Sequence, residues 1–246
     1  CQNQIGPQNR QAAPSGPADQ RAAVFRGQVK VDFKAVLFDL DGTLLDTLAD
    51  IADCSNAVLR RRGHPAHPLA AYRQFVGDGV EVLARRALPE SHRTPETVAA
   101  CAAEISAAFL DHGARMAHPY EGIPELLERL TSRGLKMAIL TNKPQAPARL
   151  MVSQRLAKWP FALVRGARDG VPKKPDPSVA LAIADRLEVP PARILYLGDT
   201  AIDMQTARSA GMFALGVLWG FRAAPELIAG GARMLVRHPA DLLAWL

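Results

Sequence analysis

The sequence predicts an α/β fold: a doubly wound parallel sheet into which a stretch of helices has been inserted. Three observations predict it. Short apolar runs alternate with helical patterns along most of the chain, as they do when helical crossovers join parallel strands. Three of those runs end at or beside a polar residue, namely Asp39, Thr141 and Asp199. Residues 47 to 118 break the alternation, carrying helical patterns with no strong strand between them.

Taken in order, residues 1 to 28 are rich in Gln, Asn, Pro, Gly and Ala without a periodic apolar pattern, and predict a disordered tail. Lys34 to Phe38 reads as a buried strand delivering Asp39 at its carboxyl end. From Leu48 to Arg62 the apolar residues Leu48, Ile51, Val58 and Leu59 recur at helical spacing. Asp46 or Thr47 is available as the cap, and Gly63 is the stop. Helical patterns follow over 80 to 88 and 95 to 110. After Pro119 the alternation resumes, with a helix from Pro124 to Gly134 and a strand over 136 to 141. Further strands are expected at 161 to 164, 193 to 198, 213 to 217 and 234 to 236, with helices over 177 to 187 and 203 to 210. The predicted organisation is a core of residues 29–46 and 119–246, interrupted by a helical insertion over 47–118.

A chain of 246 residues can bury a core of this size without metal or disulfide support. Its cysteines, Cys1, Cys54 and Cys101, lack metal-ligand spacing, and the last two sit in apolar helical contexts. The formal charge of +6 would attract anions, but the arginines are scattered rather than massed into a tract, which argues against nucleic acid; a small phosphorylated molecule fits the charge equally well. No apolar run reaches the roughly 20 residues of a membrane span. The expected compartment is the cytoplasm, with lipid anchoring through Cys1 as the alternative. Oligomeric state is not legible.

In a doubly wound sheet, ligands bind beyond the carboxyl ends of the strands, so Asp39, Thr141 and Asp199 form a candidate site. Asp39 and Asp41 lie two apart around a turn that Gly42 permits, a spacing that lets one carboxylate reach an electrophile while the other approaches from beside it. An acidic turn looks the same in isolation.

Four segments, DLDGTLLDT, ILTNK, KKPDP and YLGDTAIDMQTARSAGM, occur in the order and at the intervals of the haloacid-dehalogenase-like hydrolase superfamily, which residues 34 to 246 resemble. YEGIPELLERLTSRGLKMAILTNK and GVLWGFR are similar to its phosphoglycolate-phosphatase-like branch. The resemblance implies a Rossmann-like core with an inserted α-helical cap domain. It implies a phosphomonoester hydrolase in which Asp39 attacks phosphorus and Asp41 serves as acid and then base. Mg²⁺ would be held by Asp39, the backbone carbonyl of Asp41 and Asp199, with Asp203 in direct or water-mediated support. Asp203 is alternatively a cap of the following helix. Thr141 and the Asn142 amide would bind the phosphoryl group, and Lys174 would neutralise the aspartyl phosphate. Lys173 and Lys143 are expected to be solvated surface charges.

The leading substrate by resemblance is 2-phosphoglycolate, ahead of other sugar or nucleotide monophosphates. Asp41 separates this chemistry from dehalogenation. No lysine lies between residues 47 and 118, which disfavours a phosphonate cleaver relying on a Schiff base there. A hexose-phosphate mutase and, in another class, a non-catalytic binding protein are the alternatives. Asp46 and Asp50 are expected to be capping or first-turn acids, and the histidines to have no special role. Gly77-Asp78-Gly79 reads as a turn that in the resembled branch descends over the site. Arg73, Arg85 and Arg86 could clamp a substrate carboxylate but have ordinary surface roles available.

Overall fold

A computed structural model describes residues 32 to 243; the predicted tail and Cys1 lie outside the described residues. The central sheet has six parallel strands: β1 (Ala35–Phe38), β4 (Lys136–Pro144), β5 (Phe161–Ala167), β6 (Ile194–Gly198), β7 (Phe213–Val217) and β8 (Met234–Val236). Their spatial order is β5-β4-β1-β6-β7-β8. Counting only these six, the order is 3-2-1-4-5-6, the Rossmann arrangement, whose ligand crevice opens where the winding reverses beside the first strand.

Alternation along β1 shows how the sheet is covered. Val36 and Phe38 enter one apolar cluster with Leu126, Ile139 and Leu197, while Ala35 and Leu37 enter another with Ala138, Ile183 and Tyr196. Both faces are therefore buried, as the continuous apolar runs require. The covering helices are α5 (Ile123–Ser132), α6 (Gln145–Arg155), α7 (Ser178–Leu187), α8 (Ala201–Ser209), α9 (Ala224–Gly230) and α10 (Pro239–Leu243). Four of the strands came close to their predicted bounds. Strand β4 runs on to Pro144, three residues past the expected end, and the helices α6, α9 and α10 carried no pattern strong enough to announce them.

Between β1 and β4 the chain leaves through β2 (Leu45–Asp46) and returns through β3 (His118–Pro119), which pair antiparallel. The exit and re-entry of the insertion are thus zipped side by side. It contains α1 (Leu48–Arg61), α2 (Leu69–Phe75), α3 (Val80–Ala87) and α4 (Pro95–His112). These helices share their own cluster, including Leu59, Tyr72, Leu88, Cys101 and Ile105, separate from the two flanking the sheet. Cys54 and Cys101 are buried free thiols there.

Asp50, expected to be a first-turn acid, is fully buried and does different work. Its carboxylate accepts the backbone N–H groups of Met116 at 3.0 Å and Ala117 at 2.7 Å and lies 3.1 Å from Nε2 of His112. It bolts the first helix of the insertion to the end of the last. Nothing in the local sequence distinguishes that acid from a capping acid, because its partners are more than 60 residues away. Among the described residues, no helix is long and apolar enough to cross a membrane.

Candidate active site

Parallel pairing sets the site. Phe38 is level with Ile139 on β4 and with Leu197 on β6, so Asp39, Thr141 and Asp199 come to the same edge of the sheet, where β4 alone runs on. Asp39 continues β1 by one residue, its N–H donating to the Leu197 carbonyl at 2.9 Å. Asp199 follows β6 directly, and Thr141, Asn142 and Lys143 form the last stretch of β4 before Pro144. Lys174 comes from the loop after β5.

The structure brings all seven residues proposed from the sequence to this one edge. Nζ of Lys174 lies 2.9 Å from Oδ1 of Asp39 and 2.6 Å from Oδ1 of Asp203. The contact with Asp39 lacks hydrogen-bond geometry, leaving Asp39 Oδ1 buried without a hydrogen-bond donor. Asp203 belongs to a capping box: Thr200 caps α8, and the Asp203 side chain returns to the Thr200 N–H at 3.1 Å and its hydroxyl at 2.6 Å. The two readings of Asp203 are therefore compatible, since it caps its helix with one oxygen and holds Lys174 with the other. That box starts α8 two residues earlier than expected.

Asp199 is fixed by the Thr43 hydroxyl at 3.3 Å and the Phe221 N–H at 2.8 Å. Gly42, at φ 85°, passes so close that any Cβ would collide with this carboxylate. The glycine of the first motif is thus required for contact as well as for the turn.

Burial, more than any neighbour, pushes Asp39 up to about 7; Lys174 opposes the shift and the charges of Asp203 and Asp41 add to it. Asp199 is raised well above the ordinary carboxylate range by burial, then by Asp39 and Asp203. Burial works against the charged form of Lys174, but Asp203 and Asp39 overcome it and hold the ammonium well above its usual value. One lysine is outnumbered by three carboxylates. Asp39, Asp199 and Asp203 each offer an oxygen within 4.8 Å of the others. An all-oxygen set, with one oxygen lacking a donor and two carboxyls resisting ionisation, fits a hard divalent cation.

Asn142 is committed on both ends of its amide. Its Oδ1 accepts the Lys174 N–H at 2.9 Å and its Nδ2 donates to the Lys174 carbonyl at 3.1 Å and to that of Gly77 at 3.3 Å. The glycine turn of the insertion thus does reach the core. Two further contacts, which the sequence did not suggest, come from the loop after β7. Arg222 donates to the Val76 carbonyl at 2.8 Å and to that of Arg73, and the Phe221 ring enters the insertion's cluster. The same loop therefore holds both Asp199 and the insertion.

Lys143 corrects an expectation. It is 7% exposed, with Nζ 3.2 and 3.3 Å from the two carboxylate oxygens of Asp41 and 4.2 Å from the centre of the Phe109 ring on α4. The continuation of β4 past Thr141 carries it inward, and that continuation was the missed signal. Lys173 is half-buried beside Glu81 at 3.3 Å. The arginines stand elsewhere: Arg86 pairs with Asp78 at 2.6 Å, Arg73 reaches the Gly220 carbonyl at 3.3 Å, and Arg85 is exposed.

Above Asp39 and Asp41 the insertion closes a cavity whose roof is apolar. A small molecule bound there would meet carboxylates, Thr141 and Lys143 below and mostly hydrocarbon above, with the Gly77 and Gly79 turn and Ser106, whose hydroxyl donates to the Ala102 carbonyl, beside it. This is the division expected of a site that fixes one polar group and sorts by shape.

A profile of the haloacid dehalogenase-like hydrolase family matches residues 36–217. A phosphoglycolate phosphatase of Pseudomonas putida is 32% identical over 218 residues, covering 85% of this chain and 80% of its own. An N-acetylmuramic acid 6-phosphate phosphatase of Pseudomonas aeruginosa is 34% identical over 216 residues, covering 87% and 95%. Among solved structures, a candidate phosphoglycolate phosphatase from Lactobacillus delbrueckii subsp. bulgaricus superposes with a TM-score of 0.79 at 30% identity, covering 86% of this chain and 97% of its own.

Proposed function

The chain belongs to the haloacid dehalogenase-like hydrolase family, and from that premise we propose that it hydrolyses small phosphomonoesters in the cytoplasm, with 2-phosphoglycolate the leading substrate. The observation that carries the reading is the relation of two carboxylates. Asp39 sits against Lys174 at the end of β1, and Asp41, two residues on, sits against Lys143, both carboxylates lining the cavity.

In the first half-reaction an oxygen of Asp39 attacks phosphorus as the bond to the leaving oxygen breaks, and Asp41 gives that oxygen its proton. In the second, Asp41 takes a proton from water whose oxygen attacks the aspartyl phosphate, releasing inorganic phosphate and restoring Asp39. Lys174 offsets charge on Asp39 throughout and is itself kept in place by Asp203 and Asn142. Thr141 lines the phosphoryl position. Because the Asn142 side chain is already engaged, its backbone N–H is the group left to serve the phosphoryl oxygens. Asp39, Asp199 and the Asp41 carbonyl, with Asp203 beside them, would hold Mg²⁺, whose charge lets an anionic ester approach an anionic nucleophile.

Two relatives favour two substrates, 2-phosphoglycolate and N-acetylmuramic acid 6-phosphate, both phosphate esters of acids. A panel of these two, a sugar phosphate and a nucleoside monophosphate, assayed with Mg²⁺ and with chelator beside Asp39→Asn, tests the proposal. Magnesium-dependent phosphate release is expected, falling by about 10⁴-fold or more in the variant. Turnover persisting in Asp39→Asn would sink the nucleophile assignment. A weak, even response across the panel would unseat phosphoglycolate and leave the phosphatase class standing.

A further inference from the structure

We propose that Lys143 is the specificity-determining cation of this site, reading a carboxylate on the leaving group of the substrate. The inference rests on the phosphomonoesterase reading and deepens it by naming the substrate class, phosphate esters of hydroxy acids.

The cavity over Asp39 and Asp41 is roofed by Ile51, Val80, Leu83, Ile105 and Phe109. Among the described residues that line it, Lys143 is the one cationic side chain. A carboxylate entering that space unpaired would lose its hydration with little in return. The three arginines of the insertion that could have met it are engaged or exposed away from the cavity. The roof therefore admits an acid through Lys143 or disfavours it.

Geometry leaves Lys143 free for that task. Its contacts with Asp41, at 3.2 and 3.3 Å, are long for a charge-assisted bond, whereas Lys174 holds Asp203 at 2.6 Å. Lys174 is committed to the nucleophile cluster. Lys143 is loosely shared between a carboxylate and the face of Phe109, an aromatic contact that a substrate anion can supplement without displacing a tight bond. Its position beside Asp41, the proposed proton donor to the leaving oxygen, puts its charge on the leaving-group side of the site. In a hydroxy-acid ester the carboxylate is carried by that group.

The test compares two esters of similar size, 2-phosphoglycolate and 2-hydroxyethyl phosphate, on the full chain with Mg²⁺. The unaltered enzyme is expected to prefer the carboxylated ester. Lys143→Met should lower kcat/KM for 2-phosphoglycolate by about 10- to 100-fold more than for the neutral ester, whose own loss reads the support that Lys143 gives Asp41; the difference is the size expected for loss of a hydrogen bond to a charged group. Lys143→Arg should restore part of the preference. An equal loss on both esters would reduce Lys143 to a support for Asp41 and overturn the proposal, as would no loss on either. Should Lys143→Met not fold, inhibition of the unaltered enzyme decides. Glycolate should compete at concentrations at least about 10-fold below ethylene glycol, and equal potency of the two overturns the assignment. An unaltered enzyme that turns over neither ester overturns this proposal, and one that also fails on the wider panel overturns the phosphatase reading with it, a result distinct from intact turnover without preference.

Discussion

The floor and the roof of the cavity are built on opposite principles. Floor residues are polar, buried and bound to one another: Asp39, Lys174, Asp203 and Thr200 form one connected chain of contacts, and Asp199 is held from two sides. The roof is a separate apolar cluster, braced internally at Asp50 and tied to the floor by polar contacts at Gly77 and Arg222. In the floor, an atom displaced by an ångström breaks the chemistry. In the roof, side chains of equal volume and apolarity can be exchanged while the enclosure persists. Reaction class is thus written in the floor and substrate choice in the roof, apart from Lys143, a floor residue that touches the roof through Phe109.

The largest effect should follow from removing Lys174, the cation set against Asp39 and Asp203. Lys174→Met preserves length but leaves three crowded buried carboxylates, and breaking a buried pair in this way costs about 3–5 kcal/mol. Turnover should vanish with it. Chemical denaturation in chelator would show the loss in full, and Mg²⁺ should narrow it because added positive charge relieves the same crowding. A loss below about 1 kcal/mol would mean that the floor is not held by this pair.

A middle effect should come from the brace inside the roof, where its first helix meets the end of its last. Asp50→Ala strands the N–H groups of Met116 and Ala117 in the protein interior, at a cost of about 2–4 kcal/mol. Asp50→Asn, which keeps one oxygen acceptor, should lose about half as much. Since the floor is untouched, KM should rise more than kcat falls. A drop in kcat alone would show that Asp50 acts on the chemistry and that the division between floor and roof is drawn in the wrong place.

The same contrast explains what could be read from the sequence. Floor residues were legible because a doubly wound sheet binds ligands beyond the carboxyl ends of its parallel strands, which drew Asp39, Thr141 and Asp199, following three apolar runs, to one edge. Spacing from Asp39 singled out Asp41, and resemblance gave it a role and added Asn142, Lys174 and Asp203. Roof helices were visible as periodicity, except α2, whose seven residues are too few for a pattern. Contacts between distant segments left no local mark: Asp50 looked like a cap, and Arg222 like any charge in a loop. Lys143 was misjudged because the strand was ended at Thr141. Two more residues of β4 turn a surface lysine into a buried one.

The smallest effect concerns the thiols of the roof. Cys54 is pushed up to about 11, first by burial and then by the negative charge of Asp50, and burial likewise raises Cys101. A raised thiol is neutral below its pKa, so at pH 8 the reactive thiolate of Cys54 is scarce in the folded protein, and its access is closed as well. Alkylation of the two cysteines, followed peptide by peptide, should run about 100-fold slower than in the unfolded chain and accelerate as pH climbs towards 11. Stability and turnover should not change while the thiols stay unmodified. Labelling at the unfolded rate under conditions where the floor still turns over substrate would show the roof opening on its own, and the ties at Gly77 and Arg222 would then be too weak to hold it closed.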